Sequence, residues 1–166
     1  MSVTTTIKLS AAISQALALD KGTAAFTPSH VINKTLADGT GADQANQVFS
    51  DQRTLAGSAN EELDLSGSLV DAFGNTIAFT KIKAIIISAA AANGGDIQVG
   101  GSASNGFDSW VGAAGDLVVV QPDGAFVLVA PGVNGYAVTA GTGDLLKITN
   151  TDASPVTYDI TIIGVE

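Results

Sequence analysis

Glu61, Glu62 and Asp64 form a close group of carboxylates in this sequence. Two carboxylates on facing strands can flank a sugar bond, which is the arrangement that glycoside hydrolases use. Neighbouring acids are far more common on the solvated face of a strand. We therefore interpret these three side chains as surface residues.

Two further patterns have the residue types of a ligand site but lack its spacing. Residues 38–43, DGTGAD, are rich in oxygen ligands, yet they lack the D-x-[DN]-x-[DN]-G spacing of a calcium loop. His30 is the only histidine, so a catalytic triad or a zinc site would need partners that the sequence does not offer. The sequence predicts no catalytic residue, no metal site and no cofactor, and we expect that the protein is not an enzyme.

The composition indicates one domain with a surface of unusually low charge. The chain has 166 residues, of which 14% are charged, and its mean hydropathy is +0.35. An average soluble domain has roughly 25% charged residues. This shortage of charge predicts that extra surface is buried between subunits or against a host structure.

The charges also exclude two classes of partner. The net charge is −9, and the seven basic residues are scattered along the chain. Binding to nucleic acid or to an anionic membrane needs a positive patch, so we expect neither partner. The chain has no cysteine, which excludes disulfides and thiolate sites.

The N-terminal segment alternates with a period of two residues. Val3, Thr5, Ile7, Leu9, Ala11, Ile13, Leu17 and Leu19 all occupy odd positions. This period predicts one long strand, two successive strands or an extended arm. We assign residues 1–44 to a strand or arm followed by a glycine-rich, loop-rich connection with one short strand near residues 30–36, and residues 45–166 to the body.

Residues 116–130, DLVVVQPDGAFVLVA, contain two apolar runs separated by Gln121-Pro122-Asp123-Gly124. Proline presets φ and glycine accepts a positive φ, so the four residues predict a tight turn. The pattern is typical of a β-hairpin. Because neither run has a polar face, we expect this hairpin near the centre of the core.

About eight to ten strands at regular spacing predict an all-β fold, an antiparallel β-sandwich that is jelly-roll-like and has an extended N-terminal segment. Trp110 lies in the polar loop of residues 100–115. It could stack on a sugar ring, close one end of the sandwich or lie in a subunit interface. The residues that we predict at an interface are Val3, Ile7, Leu9, Ile13, Leu17 and Trp110.

Seven ordered blocks carry a family resemblance over about two thirds of the chain. They are SDQRTL (50–55), ELDLSG (62–67), DAFG (71–74), FTKIKA (79–84), VGG (99–101), GYAVTAGT (135–142) and VTYDI (156–160). In these blocks the chain resembles a group of virion structural proteins of tailed bacteriophages. The first 40 or so residues lie outside the firm resemblance.

The resemblance implies a capsid decoration (cement) protein or a minor capsid protein, with a jelly-roll-like fold and a trimeric assembly. Its expected partners are further copies of itself and the major capsid protein. Its expected location is the capsid surface of the virion, after synthesis in the host cytoplasm. The alternative is a head-fibre or tail-fibre module that binds a receptor or glycan through residues 100–115.

Overall fold

The computed structural model describes residues 2–166. Every regular element in that range is a β-strand, and the sixteen strands are numbered β1 to β16 along the chain. The all-β prediction is confirmed. No helix in this part of the chain is long and apolar enough to cross a membrane.

The first four strands form one long hairpin, which we call the arm. Its strands are β1 (Thr5–Ala12), β2 (Gln15–Leu19), β3 (Gly22–Phe26) and β4 (Ser29–Asp38). β1 pairs with β4 and β2 with β3, and the residue numbers of every pair add up to 41, from Thr5 and Leu36 to Leu19 and Gly22. The register is therefore continuous, and the amide of Ile13 bonds the carbonyl of Pro28 where the ladder changes strands (3.0 Å). Residues 20–44, which we predicted to be largely loop, are instead mostly strand.

The body consists of two antiparallel sheets that face each other. The five-stranded sheet has the order β13 (Ala125–Val129), β10 (Lys81–Ala89), β16 (Val156–Val165), β6 (Gln47–Leu55), and β14 (Tyr136–Ala137) also pairs with β10. The four-stranded sheet has the order β12 (Leu117–Val120), β11 (Ile97–Gly100), β15 (Leu145–Asn150), β7 (Asn60–Asp64). Three short strands complete the chain: β5 (Gln44–Ala45), parallel to β4, and the paired β8 (Leu69–Val70) and β9 (Thr76–Ile77).

Side chains of both sheets meet in one apolar core, which confirms the predicted sandwich. Its fully buried members include Ile85, Ile87, Ile97, Leu146, Ile148, Tyr158, Ile160 and Ile162. Alternate residues of a strand point to opposite faces of the sheet, so each strand contributes every second residue to this core. The apolar strand β10 lies centrally, between β13 and β16.

The predicted hairpin of residues 116–130 is wrong in its pairing and in its place. The turn itself forms, since the amide of Gly124 bonds the carbonyl of Gln121 (2.8 Å). However, β12 pairs with β11 and β13 pairs with β10, so the two strands belong to different sheets. Both are edge strands of their sheets, and Val119 is 49% exposed. Two apolar runs joined by a turn can face each other across a sandwich as well as pair side by side, and the local sequence does not distinguish the two arrangements.

A polar network joins the two sheets at one edge of the sandwich. Glu61 on β7 accepts hydrogen bonds from the guanidinium of Arg53 on β6 (2.6 and 2.7 Å) and from the hydroxyl of Tyr158 on β16 (2.6 Å). Asp51 also binds Arg53 (2.8 Å). Burial, together with the hydrogen bond to Glu61, raises the pKa of Tyr158, and the bond to Glu61 raises the pKa of Arg53. The network fixes β7 against β6 and β16.

We expect Tyr158→Phe to lower the free energy of unfolding by about 2 kcal/mol, because Glu61 loses a hydrogen bond to a buried donor. The raised pKa of Tyr158 favours the protonated phenol in the folded state. The contribution of the Tyr158 hydroxyl to the free energy of unfolding is therefore complete below about pH 10, the ordinary pKa of tyrosine. It is lost as the pH rises above that value. Urea unfolding from pH 7 to pH 11 measures both effects. Tyr136→Phe, at a partly buried tyrosine outside this network, is the control, and equal losses in the two variants would contradict the prediction.

Candidate functional site

The arm has one apolar face. Residues directly opposite each other in a hairpin share a face, and successive residues alternate. The unbroken register therefore places the odd residues of β1 and β2 on the same face as the even residues of β3 and β4. We call the large exposed side chains on this face the arm stripe; they are Leu9, Ile13, Leu17, Leu19, Phe26 and Ile32.

The arm stripe lacks cover within the chain. Five of its six side chains are between 51% and 64% exposed, and Ile32 is 38% exposed. The opposite face carries mainly small and polar residues such as Lys8, Ser10 and the Thr6–Thr35 pair, whose hydroxyl oxygens lie 3.4 Å apart. Val31, 55% exposed, is the large apolar side chain on that face. An isolated two-stranded hairpin is marginally stable in water, and a contiguous exposed apolar surface typically marks an interaction site. The arm stripe is therefore a candidate interaction surface.

At its root the same face is buried against the body. Ile7 and Leu36 form a second apolar cluster with Ala84 of β10 and Ile163 of β16. These two body residues are paired across the five-stranded sheet and point away from the main core. The arm is thus anchored on the outer face of that sheet, and its stripe continues beyond the anchor.

An apolar cleft opens where the arm leaves the sheet. We call it the root cleft; its volume is about 300 Å³, and it is lined by Ile7, Leu9, Ile32, Lys34, Val127, Val129 and Pro131. Val127, on the edge strand β13, is 37% exposed there. The root cleft joins the inner end of the arm stripe to the outer face of the body.

Lys83 ties the base of the arm to the body. It is fully buried, and its ammonium donates hydrogen bonds to the carbonyls of Gly41 (3.2 Å) and Gly132. Burial lowers the pKa of Lys83, and the charge of Lys81 lowers it further. Gly41 precedes Asp43, whose amide bonds Pro131 (2.8 Å). The lysine therefore connects, through hydrogen bonds, the loop of residues 39–43 to the loop of residues 131–135. These two loops lie at the base of the arm.

We expect Lys83→Met to loosen the arm base while the sandwich stays folded, because methionine fills the space but donates no hydrogen bond. Exchange of the amides of Ala37 and Asp43, which bond the carbonyls of Asp43 and Pro131, should become roughly tenfold faster, the equivalent of about 1.4 kcal/mol. Hydrogen exchange resolved by NMR measures this rate. Lys147→Met, on β15 of the other sheet, is the control, and unchanged exchange in Lys83→Met would show that the lysine does not hold the base.

Charge is distributed unequally between the arm and the rest of the chain. Residues 5–38, which span the arm, carry three lysines against two aspartates, a net charge of +1, which leaves −10 for the remaining residues out of the total of −9. The arm is therefore positive and the body strongly negative. Such opposite charges favour contact between the arm of one molecule and the body of another.

Of the predicted interface residues, Leu9, Ile13 and Leu17 lie in the arm stripe. Val3 is partly buried, and its amide bonds the carboxylate of Asp38 (3.0 Å). Ile7 is buried within its own chain, at 6% exposure, and lines the root cleft, so its place at an interface stays a prediction. The pattern of residues 3–19 did not reveal the two stripe residues Phe26 and Ile32, which lie opposite Gln15 and Leu9, although both occupy even positions after the turn at residues 20–21.

Trp110 lies apart from the stripe and packs against the main core. Its indole nitrogen donates a hydrogen bond to the carbonyl of Phe107 (3.0 Å), and its ring is 5.2 Å from that of Phe126. Phe107 itself is buried. This placement favours a structural role for Trp110 within the sandwich over stacking on a sugar.

The carboxylates considered for catalysis have local partners and point in different directions. Glu61 and Glu62 are adjacent on β7 and so point to opposite faces. Glu62 accepts a hydrogen bond from Ser102 (2.7 Å), and Asp64 accepts bonds from the amide and hydroxyl of Ser66 (2.8 and 3.1 Å). His30 is exposed on the arm. Within residues 2–166, no three His, Cys, Asp or Glu side chains are grouped closely enough to hold a metal ion.

Comparisons with known proteins do not assign this chain to a family. No family model, no curated protein and no solved structure matches it. The arm stripe, the root cleft and the charge distribution are the features from which its function is argued.

Proposed function

We propose that this chain is a structural protein of a tailed-bacteriophage virion, which decorates and stabilises the capsid as a homotrimer bound to the major capsid protein. The arm stripe carries this proposal, because an amphipathic hairpin with an uncovered apolar face serves binding to another protein chain. The low fraction of charged residues, 14%, agrees with extensive burial in an assembly. The resemblance of residues 48–166 to phage virion proteins supplies the class of particle.

The strand order of the body supports this class of protein. Apart from the two-residue strand β14, the two sheets consist of eight strands: β6, β7, β10, β11, β12, β13, β15 and β16. Numbered from one to eight, they follow the orders 1-8-3-6 and 2-7-4-5, and the chain changes sheet at every connection except that between β11 and β12. We infer a jelly roll from this order. Double-sheet jelly rolls of eight strands are common in viral capsid proteins.

The division of roles follows from the two parts of the chain. The body supplies a rigid block, because its core is sealed between two sheets and its edge is fixed by the Arg53–Glu61–Tyr158 network. The arm reaches beyond that block and adds apolar contact with an adjoining subunit. Contacts that span neighbouring capsomers resist their separation under internal pressure.

The fibre alternative has less support. A glycan-binding loop needs exposed aromatic rings or convergent polar groups. The two aromatic residues of the 100–115 loop, Phe107 and Trp110, instead pack inward. A glycan array that gave saturable binding, lost on mutation of this loop, would favour the fibre.

Binding to capsids tests the proposal. Purified protein is mixed with capsids, assembled without it, of the phage that encodes the chain, and bound protein is measured by co-sedimentation and electron microscopy. We expect saturable binding in multiples of three copies and a higher temperature of capsid disruption. Absence of the protein from purified virions, as judged by mass spectrometry, together with no binding to capsids, would overturn the proposal.

A further inference from the structure

The hairpin end of the arm, with Leu17, Leu19 and Phe26 on its apolar face, is the most exposed part of the stripe. A groove along β2 and β3 is lined by residues of these two strands alone: Gln15, Ala16, Leu17, Ala24, Ala25 and Phe26. No other element of residues 2–166 covers it. The hairpin end therefore needs a partner surface.

We propose that the hairpin end of one copy binds in the root cleft of a second copy. The inference rests on the self-association in the proposed function, and it names the two surfaces that meet. The occupant of the root cleft is thus the Leu17, Leu19 and Phe26 face of a neighbouring arm.

The hairpin end cannot reach the root cleft of its own chain. Ile7 lines the cleft and Leu19 lies at the tip, twelve residues further along an unbroken strand ladder. At about 3.4 Å per residue, this separation is roughly 41 Å. The contact is therefore between molecules.

The two surfaces are complementary in chemistry. The root cleft is lined by aliphatic side chains and one proline, with Lys34 as its charged member, and the hairpin end presents two leucines and a phenylalanine. The volume of about 300 Å³ lies at the lower end of the range for small-molecule pockets, a size suited to side chains of a protein segment. The arm strands carry a net charge of +1 and the remaining chain −10, which favours the approach of an arm to a body, and the hairpin end itself is neutral toward Lys34 because Asp20 and Lys21 balance each other.

Such a contact joins different surfaces on the two partners, so it is heterologous. A heterologous contact repeated by rotation closes into a ring when the rotation angle allows it and otherwise forms an open filament. Closure after three copies gives the trimer of the proposed function. Each subunit then donates one arm and receives another.

Because the chain has no cysteine, single introduced cysteines can test the contact without disulfides from native residues. Phe26→Cys labels the hairpin end and Val127→Cys labels the root cleft. The two full-length variants are mixed, one carrying a size tag, and oxidised with copper-phenanthroline. We expect the mixed disulfide dimer to exceed either homodimer at least tenfold. Thr23→Cys, on the opposite arm face and outside this groove, replaces Phe26→Cys in the control and should give no enriched dimer with Val127→Cys.

Each other outcome overturns the contact in a distinguishable way. A dominant Phe26→Cys homodimer would show that arms pair with arms. An oligomer detected by light scattering without the mixed dimer would remove this contact but leave self-association intact, and the root cleft would then be tested with capsids or small apolar ligands. A monomer at micromolar concentration would overturn both this contact and the homotrimer.

Discussion

Val120→Asp should leave the protein largely unfolded at 25 °C. Val120 is 4% exposed, lies on the inner face of β12 and pairs with the fully buried Ile97. Burial of an unpaired carboxylate in this core costs at least about 4 kcal/mol, and a typical domain is stable by only 5–15 kcal/mol. Soluble yield and thermal unfolding followed by circular dichroism measure the loss.

Val119→Asp is the matched control, since it places the same charge one residue earlier on the same strand. Val119 is 49% exposed and pairs with Gln98 on the outer face of the four-stranded sheet. We expect a change of about 1 kcal/mol or less in the free energy of unfolding. Similar damage from both variants would show that β12 is covered on both faces, as the sequence alone suggested.

Changing the arm stripe to polar residues should weaken self-association strongly without unfolding the body. The variant Ile13→Thr, Leu17→Thr, Phe26→Thr keeps residues that favour strands and removes three large apolar groups. Each side chain is a little over half exposed, so burying the remainder in an interface contributes about 1 kcal/mol. Loss of all three weakens association by about 3 kcal/mol, or roughly 100-fold. Sedimentation equilibrium measures the change.

Three threonines on the opposite face of the arm separate this effect from a general effect on the hairpin. Ala12→Thr, Ala18→Thr and Ser29→Thr alter exposed positions of the arm that lie outside the groove along β2 and β3. This control should associate like the parent protein. Unchanged association in the stripe variant, or equal weakening in the control, would show that the apolar face does not mediate assembly.

Turns were predictable because their chemistry is local. Residues 71–75 form a turn as the sequence indicates: the amide of Gly74 bonds the carbonyl of Asp71 (3.0 Å), and Gly74 has a φ of +84°. The turn at Gln121 to Gly124 also forms. Both depend on Gly and Asp at fixed positions over four or five residues.

The pairing of strands was not predictable, because it depends on residues far apart in sequence. β6 pairs with β16 across more than 100 residues, from Leu55 with Val156 to Gln47 with Gly164. All the apolar strands have similar patterns, so many pairings would bury them equally well. That ambiguity explains why β12 and β13 were expected to pair with each other.

The candidate site was visible only in part. Alternation over residues 3–19 correctly suggested a strand with one apolar face, and Leu9, Ile13 and Leu17 belong to the arm stripe. Residues 22–38 include Gly22, Thr23 and Thr27, which are typical of loops. This segment forms strands because it pairs with β1 and β2. The root cleft could not be anticipated at all, since it brings together residues 7–34 and 127–131.

The uninterrupted register of the arm makes its length adjustable. Adding one residue to a single leg would turn every later side chain to the other face and destroy the stripe. Adding two residues to each leg would keep the apolar face intact and lengthen the hairpin by about 7 Å. Insertions or deletions of two residues in each strand would therefore change the reach of the arm in steps of about 7 Å while its apolar face is kept. Such steps can match the arm to the spacing of the subunits that it connects.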